Sequence, residues 1–144
     1  MTILVDANLL IYAYNSSAAQ HHVARAWLDD RLKGEALVGL PWSSLVAFLR
    51  VMTHPRLLAR PVATPDTWEQ VLRWLNAPTA WVSRATERHA EVLGELLALP
   101  GIRGNLVHDA DLAALAIEHG LSLCSTDGDF GRFPGLRWEN PLAG

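Results

Sequence analysis

Three aspartates stand where an α/β protein keeps its chemistry. Asp6 follows the apolar run Ile3-Leu4-Val5, and Asp109 opens the segment Asp109-Ala110-Asp111-Leu112-Ala113-Ala114-Leu115-Ala116. Asp127 follows Leu121-Ser122-Leu123-Cys124, within Ser125-Thr126-Asp127-Gly128-Asp129-Phe130. Ligands of open parallel sheets bind outside the carboxyl ends of the strands, so two strand-end acids and one helix-start acid can meet at one point. Clustered carboxylates repel, and a hard divalent cation is the occupant that relieves them. Such an ion lowers the pKa of bound water and polarises a phosphoryl oxygen, which is the chemistry of phosphodiester hydrolysis. Taken singly, Asp109 reads better as a helix-start acid favoured by the dipole, and Asp127 as a turn residue. Asp6 has the poorest structural account, because an acid directly after an apolar strand gains little there. The combination points to a site.

The elements that must position these acids can be read from periodicity. Residues 3–5 form a first strand, and 7–14 a short helix with Leu9, Leu10 and Ala13 inward; Asn15-Ser16-Ser17 breaks it. Residues 18–33 form a second helix with Val23, Trp27, Leu28 and Leu32 on one stripe, ended by Gly34. Ala36 to Leu40 is a short strand, and Pro41 opens a helix over 42–53. Its expected apolar face is Trp42, Leu45, Val46 and Leu49, with Ser43, Ala47, Arg50 and His54 on the other side. After a loop with Pro55 and Pro61, Thr64-Pro65-Asp66 starts a helix with Trp68, Val71, Leu72 and Leu75 at helical spacing. Residues 80–82 are a strand and 86–98 a helix carrying Val92, Leu93, Leu96 and Leu97. A turn through Gly101 and Gly104 leads to the helix that starts near Asp109, followed by strands at 121–125 and 136–138. Strands alternating with helices imply a mainly parallel sheet covered on both faces, a three-layer α/β/α domain.

The bulk properties set limits. The 144 residues fit a single domain spanning 1–144, with half of them hydrophobic and 19% charged, so disorder is excluded as the default. The single cysteine, Cys124, lies in an apolar run and reads as a small core residue rather than a nucleophile. The sequence shows no signal-peptide pattern and no apolar stretch long enough to span a bilayer, so the expectation is a cytoplasmic protein without a leader. A net charge of −3 argues against nucleic-acid binding by bulk electrostatics, yet not against an enzyme whose acids hold metal ions. Lys33 is the only lysine; the excess of arginine suits phosphate recognition and equally suits a GC-rich genome.

Leu4-Val5-Asp6-Ala7-Asn8-Leu9-Leu10-Ile11-Tyr12, Phe48-Leu49-Arg50-Val51, Asp109-Ala110-Asp111-Leu112, Ser125-Thr126-Asp127-Gly128-Asp129-Phe130 and the tail Phe133-Pro134-Gly135-Leu136-Arg137-Trp138-Glu139-Asn140-Pro141 occur in order. The chain resembles a PIN domain and, more narrowly, the VapC-type toxin ribonucleases of VapBC toxin–antitoxin pairs. The resemblance covers nearly the whole chain. It implies a magnesium-dependent endoribonuclease, with manganese as a substitute, that cuts structured RNA such as tRNA or rRNA and so inhibits translation and growth. It implies Asp6, Asp109 and Asp127 as catalytic metal ligands, Asn8 supporting metal-bound water, and Thr126, Asp129 and Arg50 in assisting roles. It also implies a cognate VapB-like antitoxin, received in a groove between the helices at 7–14 and 42–53, and a homodimer. One position departs from the family's pattern: the usual helix glutamate is Ala47, which puts a second metal ion in doubt.

Other residues carry less. Arg50 fits either a guide for RNA phosphate or a surface ion pair, Asp111 a solvated helix residue, and His108 a surface histidine at a helix start. His21 and His22, being adjacent, diverge on a helix and are poor metal ligands. Trp27, Trp42, Trp68 and Trp74 read as packing. Two other classes stay open: a catalytically silent PIN module that binds RNA or protein, motivated by Ala47, and a phosphotransferase with Asp6 as nucleophile. The second is weak, because haloacid-dehalogenase-like enzymes want an acid where Asn8 stands, and response-regulator-like proteins want a late lysine.

Overall fold

The computed structural model describes residues 2–143. Its frame is one five-stranded sheet of β1 (Ile3–Val5), β2 (Val38–Gly39), β3 (Ala80–Trp81), β4 (Ser122–Cys124) and β5 (Arg137–Glu139), in spatial order β3-β2-β1-β4-β5. Every pairing is parallel. The helices are α1 (Ala7–Tyr14), α2 (His21–Lys33), α3 (Trp42–Met52), α4 (Thr64–Leu75), α5 (His89–Leu97) and α6 (Asn105–His119), with a 3₁₀ turn over Gly128–Arg132.

All three residues of β1 are fully buried, as expected of a central strand covered on both faces. The chain packs two apolar layers against the sheet. One gathers Leu9, Leu10, Leu28, Leu45, Phe48 and Trp74 from α1 to α4; the other gathers Val92, Leu96, Ala113 and Leu115 from α5 and α6 with Phe130 of the 3₁₀ turn and Phe133 just after it. Gly39 is required by close approach: a Cβ there would lie 2.5 Å from the Ser83 hydroxyl and 3.1 Å from the Ile3 carbonyl. The strand order reverses beside β1, whose neighbours are β2 and β4. A crevice therefore opens at the carboxyl ends of β1 and β4, the place where ligands of such sheets bind.

The three-layer, parallel-sheet architecture agrees with the expectation, and several details correct it. Helix α2 begins at His21 rather than 18, because residues 18–20 form turns, with the His21 N–H donating to the Ala18 carbonyl at 3.1 Å. Its buried side is His21, Ala24, Leu28 and Leu32, leaving Val23 exposed. His21 takes that place by bonding the Tyr12 carbonyl through Nδ1 at 2.9 Å. In α3 the core face is Ser44, Leu45, Phe48 and Met52, while Trp42 and Val46 are exposed. In α4 it is Thr67, Val71 and Trp74, while Trp68 and Leu72 are exposed. Both helices carry apolar residues on more than one side, so the stripe's phase is set by what they pack against. Helix α6 starts at Asn105, after Gly104 in the positive-φ region, which puts Asp109 in the second turn and not at a cap. In the groove expected between α1 and α3, Leu9, Leu10 and Ala13 of α1 are buried in the core and Ile11, Tyr12 and Tyr14 partly buried against it, while Trp42 and Val46 of α3 are exposed.

Candidate active site

The crevice is organised by a residue that the sequence reading passed over. Ser125 follows β4 and is fully buried. Its hydroxyl donates to Asp6 Oδ2 at 2.7 Å and accepts from Asn8 Nδ2 at 3.1 Å and from the Asp127 N–H at 3.0 Å. A hydroxyl offers one donor and two acceptor sites, so Ser125 is saturated, and it ties three predicted site residues to one atom. The Asn8 carbonyl oxygen, facing the other way, accepts from the Thr126 N–H at 3.4 Å. Thr126 thus contributes its backbone. The ladder supports the arrangement from behind: the Asp6 N–H donates to Cys124 O at 3.0 Å and Trp138 Nε1 to Ser125 O at 3.0 Å.

Asp6 caps α1, its Oδ1 accepting from the Ala7 N–H at 2.8 Å. Asp127 caps the 3₁₀ turn, its Oδ1 accepting from the Asp129 N–H at 2.9 Å. Both acids are therefore oriented by backbone amides, and each oxygen so engaged keeps a further lone pair. Asp109 projects into the same space from α6. One carboxylate oxygen each from Asp109, Asp127 and Asp129 lies within 4.8 Å of the others. Asp129 is accordingly a full member of the acidic group, and Asp6 stands beside that group, turned toward Ser125. Among the described residues, Arg132 pairs with Asp129 alone, at 3.3 Å.

The electrostatics follow. Burial raises the Asp109 carboxyl, and the charges of Asp127, Asp6 and Asp129 add to this, taking it to about 6 while His108 pulls it back. Burial also raises Asp6, against the lowering effect of its bonds from Ser125 and Ala7, with Asp127 raising it further. An anionic cluster with unrelieved repulsion and only hard oxygen donors suits magnesium or manganese. The lone thiol does not compete: Cys124 is buried, donates to Glu139 Oε1 at 3.3 Å, and is held far above its ordinary pKa by burial.

The acids face a cleft of about 550 Å³, whose walls include Asp6, Asp109, Asp111, His108 and, from α3, Trp42, Ser43, Ser44, Ala47 and Arg50. Ala47 lines the same cleft as Asp6 and Asp109. Arg50 has no ion-pair partner among the described residues, which leaves it free toward the cleft. Asp111 is not merely solvated. Its Oδ1 bonds His89 Nε2 at 2.7 Å, and His89 Nδ1 bonds Glu118 Oε2 at 2.8 Å, Glu118 being wholly enclosed. Burial disfavours the His89 cation, but its bonds to Asp111 and Glu118 outweigh this and raise its pKa. The spacing of Asp111 and Glu118, two turns apart on one helix face, was a signal; His89 on α5 was not.

A model of the PIN domain matches residues 3–136. Ribonuclease VapC37 of Mycobacterium tuberculosis is 46% identical over 140 residues, covering 97% of both chains. Ribonuclease VapC33 of the same species is 39% identical over 140 residues, covering 97% of this chain and 98% of the relative. Among solved structures, VapBC2 from Rickettsia felis, bound to a DNA fragment from its promoter, superposes with a TM-score of 0.70 at 19% identity, covering 97% of this chain and 98% of that one. The M. tuberculosis VapC20, a Sarcin-Ricin loop cleaving toxin, gives 0.66 at 20% identity, covering 94% of this chain and 98% of that one. With Asp6, Asp109 and Asp127 brought to one crevice on this fold, the chain belongs to the PIN domain family and, within it, to the VapC group.

Proposed function

We propose that this protein is a metal-dependent endoribonuclease, the toxin of a toxin–antitoxin pair, which hydrolyses phosphodiester bonds in structured RNA such as tRNA or rRNA. The observation that carries the reading is Asp109. Its carboxyl is raised to about 6 by burial and by three other acids at the sheet's reversal point. Such a cluster costs stability when empty, which supports a divalent cation as its occupant. In this reading Asp6, Asp109 and Asp127 are the principal magnesium or manganese ligands, and Asp129 assists. When bound, the ion supplies a water of lowered pKa and charge relief on a phosphoryl oxygen. The chain's own residues do the rest: Ser125 fixes Asp6, Asn8 and Asp127 in one geometry, and Arg50 offers a planar, permanently charged fork to RNA phosphate.

The relatives named as ribonucleases and the VapBC neighbours support the assignment and imply a VapB-like antitoxin. A homodimer belongs to the same reading, as does a cytoplasmic site of action. No helix among the described residues is long and apolar enough to cross a membrane. The test is cleavage of total cellular RNA with sequencing of the new ends, by wild type and by Asp6→Asn, in magnesium or manganese and with chelator. Discrete cuts that need metal and vanish in the variant support the reading. Ala47 favours one other reading, a silent PIN module that binds RNA or protein. A folded, manganese-stabilised protein that makes no cuts would select it.

A further inference from the structure

The first turn of α3 carries three features that the acidic cluster does not use. Trp42 and Trp68 lie nearly parallel, with ring centroids 6.2 Å apart and planes 17° apart, and remain 40% and 41% exposed. Trp42 lines the same cleft as Asp6 and Asp109. Ser44, also in that wall, is 2% exposed, and its hydroxyl has no hydrogen-bond partner among the described residues. No side chain caps this helix of eleven residues, because Pro41 occupies the cap position, so the Trp42 and Ser43 N–H groups have no intrahelical acceptor.

We infer that this turn is the RNA-gripping wall of the cleft: Trp42, backed by Trp68, stacks on an unpaired base, and the Ser44 hydroxyl with the free amides of the turn takes that nucleotide's phosphate. The inference rests on the ribonuclease reading and narrows its substrate to RNA that presents an unpaired nucleotide. An exposed indole gives any base a π-face to stack on. Donors without acceptors at a helix N-terminus are built for an anion, and a buried hydroxyl left unpaired is costly unless a ligand satisfies it. Arg50, without an ion-pair partner, stands in the same wall. These donors favour RNA over a protein surface, which would match the indoles and leave the amides and Ser44 unmatched. The cleft, about 550 Å³, has room for a splayed nucleotide, and sequence-specific RNA recognition commonly uses such unstacked bases.

The test uses the full chain with Asp6→Asn, which binds without cutting, and follows tryptophan fluorescence on titration with a single-stranded 12-mer oligoribonucleotide (about one small loop in length) in magnesium. Three further probes are the matching duplex, an abasic 12-mer and inorganic phosphate. Trp42→Ala should weaken single-strand binding about tenfold or more, Trp42→Phe much less, and neither should alter binding of the abasic probe. Ser44→Ala should weaken the single-stranded and abasic probes alike, about three- to tenfold, while Tm stays or rises because an orphaned hydroxyl has been removed. Phosphate alone should compete with the abasic probe and leave the base-dependent part intact. Unchanged single-strand affinity in Trp42→Ala overturns the proposal, as does a change of oligomeric state in sedimentation with RNA binding unaltered. A lower Tm in Ser44→Ala assigns that hydroxyl a structural role and overturns the phosphate limb. Cleavage by the wild-type chain is measured separately. Its absence, with the Trp42 effect present, retires the nuclease reading and keeps the RNA wall.

Discussion

Replacing Asp109 by asparagine isolates the repulsion on which the metal argument stands. The carboxyl is moved from its ordinary 3.8 to about 6 by burial first and by Asp127, Asp6 and Asp129 next. At about 1.4 kcal/mol per pH unit, that displacement corresponds to about 3 kcal/mol. Asp109 is partly open to water, so screening reduces the figure to roughly half, about 1.5 kcal/mol. The sign follows from proton binding: between pH 3.8 and about 6 the folded chain holds the Asp109 proton more tightly than the unfolded chain, so stability falls as pH rises across that window. The substituted amide has no charge to lose, and the Asp109 carboxylate makes no hydrogen bond among the described residues that the change would break. In chelator at about pH 8, Asp109→Asn should therefore melt roughly 4 °C above wild type, and the gap should close toward pH 4. Manganese should then raise the wild-type Tm and leave the variant's nearly unchanged. A variant that melts below wild type in chelator at the higher pH would refute the reasoning, because the acids would not be in unrelieved conflict.

Ser125→Ala strips the one hydroxyl that joins Asp6, Asn8 and Asp127; denaturant unfolding should show a loss of about 2 kcal/mol, and manganese titration a weaker midpoint. His89→Gln leaves enclosed Glu118 without its cation. The loss should be about 2–3 kcal/mol below pH 6.5, and it should fade as pH rises through the raised value of His89, since a group with a raised folded-state pKa stabilises only while protonated. Equal losses in melts at low and high pH would remove the ionic account. Ala47→Glu adds a carboxylate facing Asp6 and Asp109 across the cleft: the metal-free Tm should drop, and half-maximal stabilisation should need less manganese. If the manganese midpoint does not move, Ala47 does not occupy a ligand position.

The outline of the fold and the three acids that meet at one crevice were legible because they depend on local rules. Ile3-Leu4-Val5 reads as a buried strand on apolar content alone, and an acid directly behind it must sit at the strand's carboxyl end whatever else the chain does. The same holds for Asp127 behind Leu121–Cys124, and the family pattern of these segments locates Asp109. Helix phase was less legible. Trp42-Ser43-Ser44-Leu45-Val46-Ala47-Phe48 is apolar on several sides, so periodicity allowed a face with Trp42 and Val46 inward. The structure buries Leu45 as expected but joins it with Phe48 rather than with Trp42 and Val46, setting Phe48 edge-on against Tyr14 and Trp74 and turning Trp42 to the cleft.

What the chain's order of residues dictates, then, is which elements form and which acids end them, since strand burial and helix spacing act over a few neighbours. Tertiary structure alone decides which atoms meet. Ser125 reaches Asp6 across 119 positions of sequence because β1 and β4 lie side by side in parallel register, and His89 finds Asp111 and Glu118 only because α5 packs on α6. A hydrogen bond needs its partners placed to within tenths of an ångström, and that placement is the outcome of the whole packed sheet.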